Sequence, residues 1–351
     1  MTNIVIKPDQ FPVTFRAVDI GVYFFECKAP KTMADLSRAQ VLLDNNLLGV
    51  VVKDPLIFLQ RISWYVGAQT LTSINLGLSV TEQFLSNGYD AAYKNIEAAE
   101  KALQPFKIFE PGLTARLFEE AKEQEASLRH QLGILFCYLG VLKSLYITDM
   151  DPDLRLKKWS EFFSEDIPRL QFLYVLGYLF LLSKKESTLR LIHSSAPFSA
   201  EAMKFFDLRK EEKVEPGRWF RNRSFDLLLL QLAPAMCFSQ AGGYPSRVII
   251  ATKDNFVGEV LGQIFCWVGE QSYKQGWLLY PRLSAFVTKE PSIAQALSDL
   301  RSRASPGRES ASDNTEARIK NLLRISGTLI RPEIQQDLGA ALTLFNIRVV
   351  N

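Results

Sequence analysis

The chain has 351 residues, of which 47% are hydrophobic, and a formal net charge of +3. That is enough apolar material for a sizeable core, in one large domain or two to three ordinary ones. The charge is too mild for bulk attraction to nucleic acid, so any basic surface must be local. Four scattered cysteines, Cys27, Cys137, Cys237 and Cys266, form no CxxC pair and read as buried thiols of a reducing compartment. Two histidines, His130 and His193, are too few for a His-based metal site or a triad, and both read as structural.

In chain order, residues 1–37 carry short β-like runs divided by Pro-containing turns and read as an N-terminal extension. No basic segment followed by an apolar run opens the chain, so cytoplasmic residence is the expectation. AQVLLD predicts a buried strand ended by Asp44, Asn45 and Asn46. Asp54-Pro55 predicts an N-cap with Pro in the first helical turn. SINLGLSV predicts a short apolar stretch before a helix opening near Glu82 and ended by Asn87-Gly88. Residues 91–214 show spacing near 3.6 and predict a helical insertion. Its most apolar stretch, Leu170–Leu182, is too short to span a bilayer and predicts a buried helix, and no membrane association is expected.

Strand and helix alternation returns near 215. A basic-aromatic loop, Arg218 to Arg223, precedes a helix that opens near Asp226. RVIIAT predicts a strand, and a helix follows from Asp254. WLLYPRLSAFV predicts one or two further strands. Residues 301–315 read as a Ser/Arg/Gly/Pro linker, with Arg301, Arg303 and Arg308 on a solvated tether, and 316–351 as a C-terminal unit of two helices and a last strand-like run.

Four acidic residues therefore stand where strand or loop gives way to helix: Asp44, Glu82, Asp226 and Asp254. VLLDNN, LSVTEQFL, SFDLLLLQLA and Thr252-Lys253-Asp254-Asn255-Phe256 occur in that order. Thirty-eight residues separate the first two acids and 28 the last two, room for one strand–helix step each. This arrangement resembles the PIN-domain nucleases over residues 38–90 and 215–270. Asn45 departs from the Thr more usual in that family. The resemblance implies an α/β fold, a PIN-like parallel sheet flanked by helices, with 38–90 and 215–300 as its core. It also implies endonucleolytic cleavage, most often of RNA.

Oxygen-only ligands suit hard cations, so the four acids would take Mg²⁺ or Mn²⁺. Asp44 and Asp254 are the expected direct ligands, with Glu82 and Asp226 acting through water or on a second ion. Asn46 and Thr252 are the expected polar support. Arg218, Arg221, Arg223 and Lys253 are the expected contacts to a single-stranded RNA partner, with Trp219 either stacking on a base or tucked into the core.

Asp19, which also follows an apolar run, competes with Asp44 as first ligand. The competing account of the acids is that each only caps a helix, an interaction worth about 1 kcal/mol apiece. In that case the chain is a helical scaffold or interaction protein carrying a degenerate module. A toxin or defence role, an inhibitory protein partner and a homo-oligomer all stay open at this point.

Overall fold

The structure is a computed structural model that describes residues 14–28, 38–67, 70–106, 112–192, 194–206, 216–237, 247–269, 277–281, 286–287 and 315–347. His193, residues 301–314 with their three arginines, and the terminal strand-like runs lie outside these. The chain forms two compact units, Met1–Glu125 with Leu227–Arg282, and Ala126–Asp226 with Leu283–Asn351. It is a mixed α/β protein.

The first unit is built on a seven-stranded sheet. β1 (Thr14–Ala17) and β2 (Val22–Lys28) form a hairpin, and β3 (Arg38–Leu43) follows. A short 3-10 turn leads into α1 (Leu48–Lys53) and α2 (Pro55–Val66), and then β4 (Leu71–Asn75). α3 (Gly77–Asn87), α4 (Tyr89–Leu103) and α5 (Leu113–Glu123) complete the first stretch. Asp54 caps α2 as expected, its side chain accepting from the Ile57 amide at 3.1 Å beside Pro55.

The sheet is not the purely parallel one that the sequence suggested. β4, β3 and β6 (Arg247–Thr252) run parallel, but β2 pairs antiparallel with β6. β2 then runs parallel to β7 (Phe265–Gly269), which pairs antiparallel with β8 (Trp277–Pro281). The stretch read as an N-terminal extension thus supplies an inner strand. Every residue of β6 is buried, as both faces are covered. One face carries Phe24 against Phe58 and Tyr65 of α2. Buried there too, Arg247 donates to Glu26 Oε1 at 2.6 Å and to the Val66 carbonyl at 2.8 Å, so each buried charge has the other as a partner.

The opposite face is covered next to β2 by a single π-turn, Val257–Leu261, and the short α11 (Gly262–Ile264). Glycine is required at this approach. A Cβ on Gly258 would lie 2.6 Å from Tyr23 Cβ and 2.8 Å from its Cδ1.

The second unit is mostly helical: α6 (Glu125–Ile147), α7 (Pro152–Ser164), α8 (Gln171–Lys185), α9 (Phe198–Phe206), the start of α10 (Arg218–Cys237), and helices Thr315–Leu329 and Pro332–Leu344. A small ladder of β5 (Arg190–Leu191) and β9 (Phe286–Val287) joins them. α8 is the buried apolar helix expected at Leu170–Leu182. Among the described residues, α6 alone is long and apolar enough to cross a bilayer by length and composition, and 72% of its apolar window is buried inside the protein. Cys137 of α6 is a buried free thiol.

Candidate functional site

The carboxyl ends of β3 and β6 lie side by side, and the polar residues that end both strands meet there. The Asp44 amide donates to the Ala251 carbonyl at 3.0 Å, which carries the ladder one residue past the apolar run of β3. Beyond it, the Thr252 hydroxyl donates to Asp44 Oδ2 at 2.5 Å. Asn46 Nδ2 donates to the same oxygen at 2.6 Å and approaches Thr252 Oγ1 at 3.3 Å. Asn46 Oδ1 in turn accepts the Lys253 amide at 2.8 Å, and Thr252 Oγ1 accepts the Asp254 amide at 2.9 Å. Asp254 Oδ1 accepts the Val257 amide at 2.9 Å and so opens the π-turn. Asn46 and Thr252, expected as polar support, thus bond directly to Asp44.

Asp44 is 7% exposed. Burial pushes its carboxyl up to about 6, and the negative charge of Asp254 adds to the rise. The hydrogen bonds from Thr252, Asn46 and the Asn45 backbone pull the other way without cancelling it. Asp44 and Asp254 are thus electrostatically paired like charges at neighbouring strand ends.

Glu82 is half-buried and lies in the second turn of α3, because that helix opens at Gly77, earlier than the sequence suggested. The Asn75 side chain accepts the Gly77 amide at 2.7 Å and fixes that early start. Glu82 joins the site through a bridge: Asn45 Nδ2 donates to Glu82 Oε1 at 3.1 Å, while Asn45 Oδ1 accepts from Gln83 at 2.6 Å. Among the described residues, no three of the His, Cys, Asp and Glu side chains gather closely enough to hold a metal ion.

Asp226 belongs to the second unit. It lies more than two turns into α10 rather than in an opening turn, since the expected loop Arg218–Arg223 is the start of that helix. It pairs with Arg223 at 2.9 Å, with both side chains largely buried. Arg223 also donates to the Phe205 carbonyl at 3.3 Å, and Arg221 donates to Asn222 Oδ1 at 3.4 Å. Trp219 is fully buried, donating to the same carbonyl at 2.9 Å, so it does not stack on a base. Arg218 is half-buried in the same turn. Lys253 is exposed beside Asp254. Asp19 sits in the β1–β2 turn, paired with Arg61 at 2.6 Å; that hydrogen bond holds its carboxyl below the usual value.

Sequence reasoning missed the group beside Asp254. The Tyr23 hydroxyl meets Glu259 Oε1 at 2.6 Å and Asn255 Oδ1 at 2.9 Å. Burial and the Glu259 charge push that phenol up to about 12, so it stays a neutral donor. The available signal was Glu259 five residues past Asp254, which a π-turn carries round to Tyr23.

Among the described residues, the groups at the Asp44–Asp254 end that could ligate a metal are oxygens. Mg²⁺ characteristically keeps several waters and takes one or two carboxylates from the protein. Two like-charged carboxylates, one of them buried, fit that mode, and a cation would relieve the repulsion that raises Asp44. No family model, no curated protein and no solved structure matches this chain.

Proposed function

We propose that the chain is a divalent-cation-dependent endonuclease with a PIN-like core, acting on single-stranded RNA at the carboxyl ends of β3 and β6. The observation that carries this reading is the convergence of Asp44, Asn46, Thr252 and Asp254, from two distant segments, on one hydrogen-bonded group at a parallel strand end. Such strand ends are where open α/β sheets place their ligands.

A bound Mg²⁺ or Mn²⁺ would activate water and polarise the phosphate. The protein's own part is to hold Asp44 in one orientation through Thr252 and Asn46, and to aim Asp254 from three residues before the π-turn. Asn45 sets Glu82 at the edge of the same end, where it serves an outer, water-mediated role. Lys253 supplies an exposed positive charge for the substrate backbone. Asp226, held by Arg223, supports the second unit's helix in this reading rather than the chemistry.

Binding that favours the folded state raises its melting temperature, in proportion to the logarithm of ligand over dissociation constant. Addition of Mn²⁺ at about a hundred times its dissociation constant is expected to raise the melting temperature of the wild type by several degrees. No rise is expected in an Asp44→Ala, Asp254→Ala double variant. Cleavage of generic single-stranded RNA should follow the same metal titration. An equal Mn²⁺ response in both proteins would remove the cation from this site, and RNA cleavage that persists in the double variant would remove the mechanism.

A second reading, an interaction protein whose acids have lapsed into structural roles, is favoured by the buried Arg223–Asp226 pair and by the absence of a three-acid group among the described residues. It predicts no cleavage and no Mn²⁺ response.

A further inference from the structure

Arg16 is placed on the same sheet face as the acids by strand register alone. It pairs across the hairpin with Tyr23, and Tyr23 pairs with Thr252 on β6. Thr252 stands beside Asp44 at the end of β3. One transverse row therefore runs Arg16, Tyr23, Thr252, Asp44. Strands lie about 4.8 Å apart, so three steps put Arg16 roughly 14 Å from Asp44 along the sheet. That is a separation between backbones, and it sets Arg16 on the edge hairpin rather than between the strand ends that carry Asp44 and Asp254.

Arg16 is also held in place. Its guanidinium lies 5.2 Å over the Tyr23 ring, a cation–π approach within reach of the ring face. It stands 3.9 Å from Glu259. Tyr23 is itself fixed by its hydroxyl bonds to Asn255 and Glu259, and by Gly258, whose missing Cβ lets the π-turn close on the ring. Thr14 of β1 donates to the Gly258 carbonyl at 3.1 Å and ties the hairpin edge to the same turn. The side chains of Arg16 and Glu259 are 52% and 44% exposed, so their pairing is screened and worth little. Exchanging Glu259 for a phosphate oxygen would give up little and gain a charge-assisted bond.

We infer that Arg16, positioned by Tyr23 and the π-turn, binds a flanking phosphate of a polymeric single-stranded substrate, at a subsite separate from the scissile phosphate. The inference rests on the nuclease reading for the position of the scissile bond. A point charge that meets only the backbone contributes affinity without sequence preference. It also matters only for substrates long enough to reach it.

The test uses the full chain carrying Asp44→Asn, in which turnover is blocked, and a fluorescent single-stranded RNA of about a dozen nucleotides, within the usual reach of one single-strand site. Adding Arg16→Ala is expected to weaken binding about tenfold, and to reduce the slope of log affinity against log salt by about 0.7, the value of one single-strand phosphate contact. Arg16→Lys should restore most of the slope. With Asp44 intact, Arg16→Ala should raise KM for the long RNA and leave kcat and KM for a dinucleotide unchanged.

Unaltered binding and salt slope, or an equal defect on the dinucleotide, would overturn the assignment. Cleavage that is indifferent to Arg16 sinks this inference alone. Binding that depends on Arg16 in a protein that cleaves nothing sinks the nuclease reading alone.

Discussion

Asp44→Asn is expected to make the protein more stable at pH 7.5 and to abolish cleavage. The stability half follows from the sign of the titration. The folded carboxyl titrates at about 6, above its ordinary 3.8. Above pH 6 the fold therefore holds an ionised, buried carboxylate that the unfolded chain would keep in water. As pH falls from 6 toward 3.8, the folded protein binds a proton that the unfolded chain does not, so this group's contribution to stability rises. The full difference corresponds to roughly 3 kcal/mol, reached only when no cation is bound.

The amide has nearly the shape of the acid, can still accept from Thr252 and Asn46, and carries no charge for Asp254 to repel. In chelator at pH 7.5, scanning calorimetry should show a rise of several degrees for the unit that contains the sheet. The gain should vanish near pH 4, where the wild-type carboxyl is also protonated. The activity half is a loss on the order of a hundredfold or more, the scale on which one preorganised electrostatic group is felt. An active site that stores repulsion in its resting state commonly trades stability for function in this way. A lower melting temperature in chelator would mean that Asp44 is a structural acid, and would favour the scaffold reading.

Much of this site was legible in the chain because its parts are local. Short apolar runs ended by polar residues gave β3 and β6, and the residues three places beyond Leu43 and two beyond Thr252 supplied Asn46 and Asp254. Asp54-Pro55 announced α2 for the same local reason. What failed was non-local. VYFFECK has a strand's composition, but nothing in it says that it inserts beside β6 in the opposite direction. RWFRNRS read as a loop because it follows Pro216-Gly217 and because Asn and Ser are indifferent helix formers. Tertiary contacts overrode that, with Trp219 and Phe220 anchored in the interior at 1% and 0% exposure. Glu82 was misplaced within its helix because the side chain that starts α3, Asn75, sits before a glycine that looked like strand. The PIN resemblance rested on order and spacing. Order survives a change of helix boundary, whereas the direction in which Asp226 points does not.

Gly177→Ala is expected to destabilise the second unit by about 3 kcal/mol, although alanine is the better helix former by about 1 kcal/mol. Two effects oppose each other here, and the geometry decides between them. Gly177 lies inside α8, where the backbone meets the indole of Trp159 from α7. A Cβ at 177 would lie 2.5 Å from Trp159 Cε2 and 2.8 Å from Nε1, closer than any real contact. The indole has nowhere to withdraw. Its Nε1 donates to the Tyr174 carbonyl at 3.0 Å, and its ring packs at 5.0 Å from Phe163 and 5.7 Å from Phe162. Trp159 is itself fully buried. The added methyl must then push α7 and α8 apart, or break the indole's hydrogen bond and leave a buried carbonyl without that donor.

For a unit of this size, such a loss corresponds to a melting temperature lower by roughly 6–12 °C. The Trp159→Phe single variant should cost less than Trp159→Ala, because it leaves a smaller cavity. Combining Trp159→Phe with Gly177→Ala should recover part of the loss, since the shorter ring leaves room for the methyl. A coupling energy of the rescuing sign, on the order of 1 kcal/mol, marks two residues in direct contact. Strict additivity in that double-variant cycle would mean that α7 and α8 do not meet at this point.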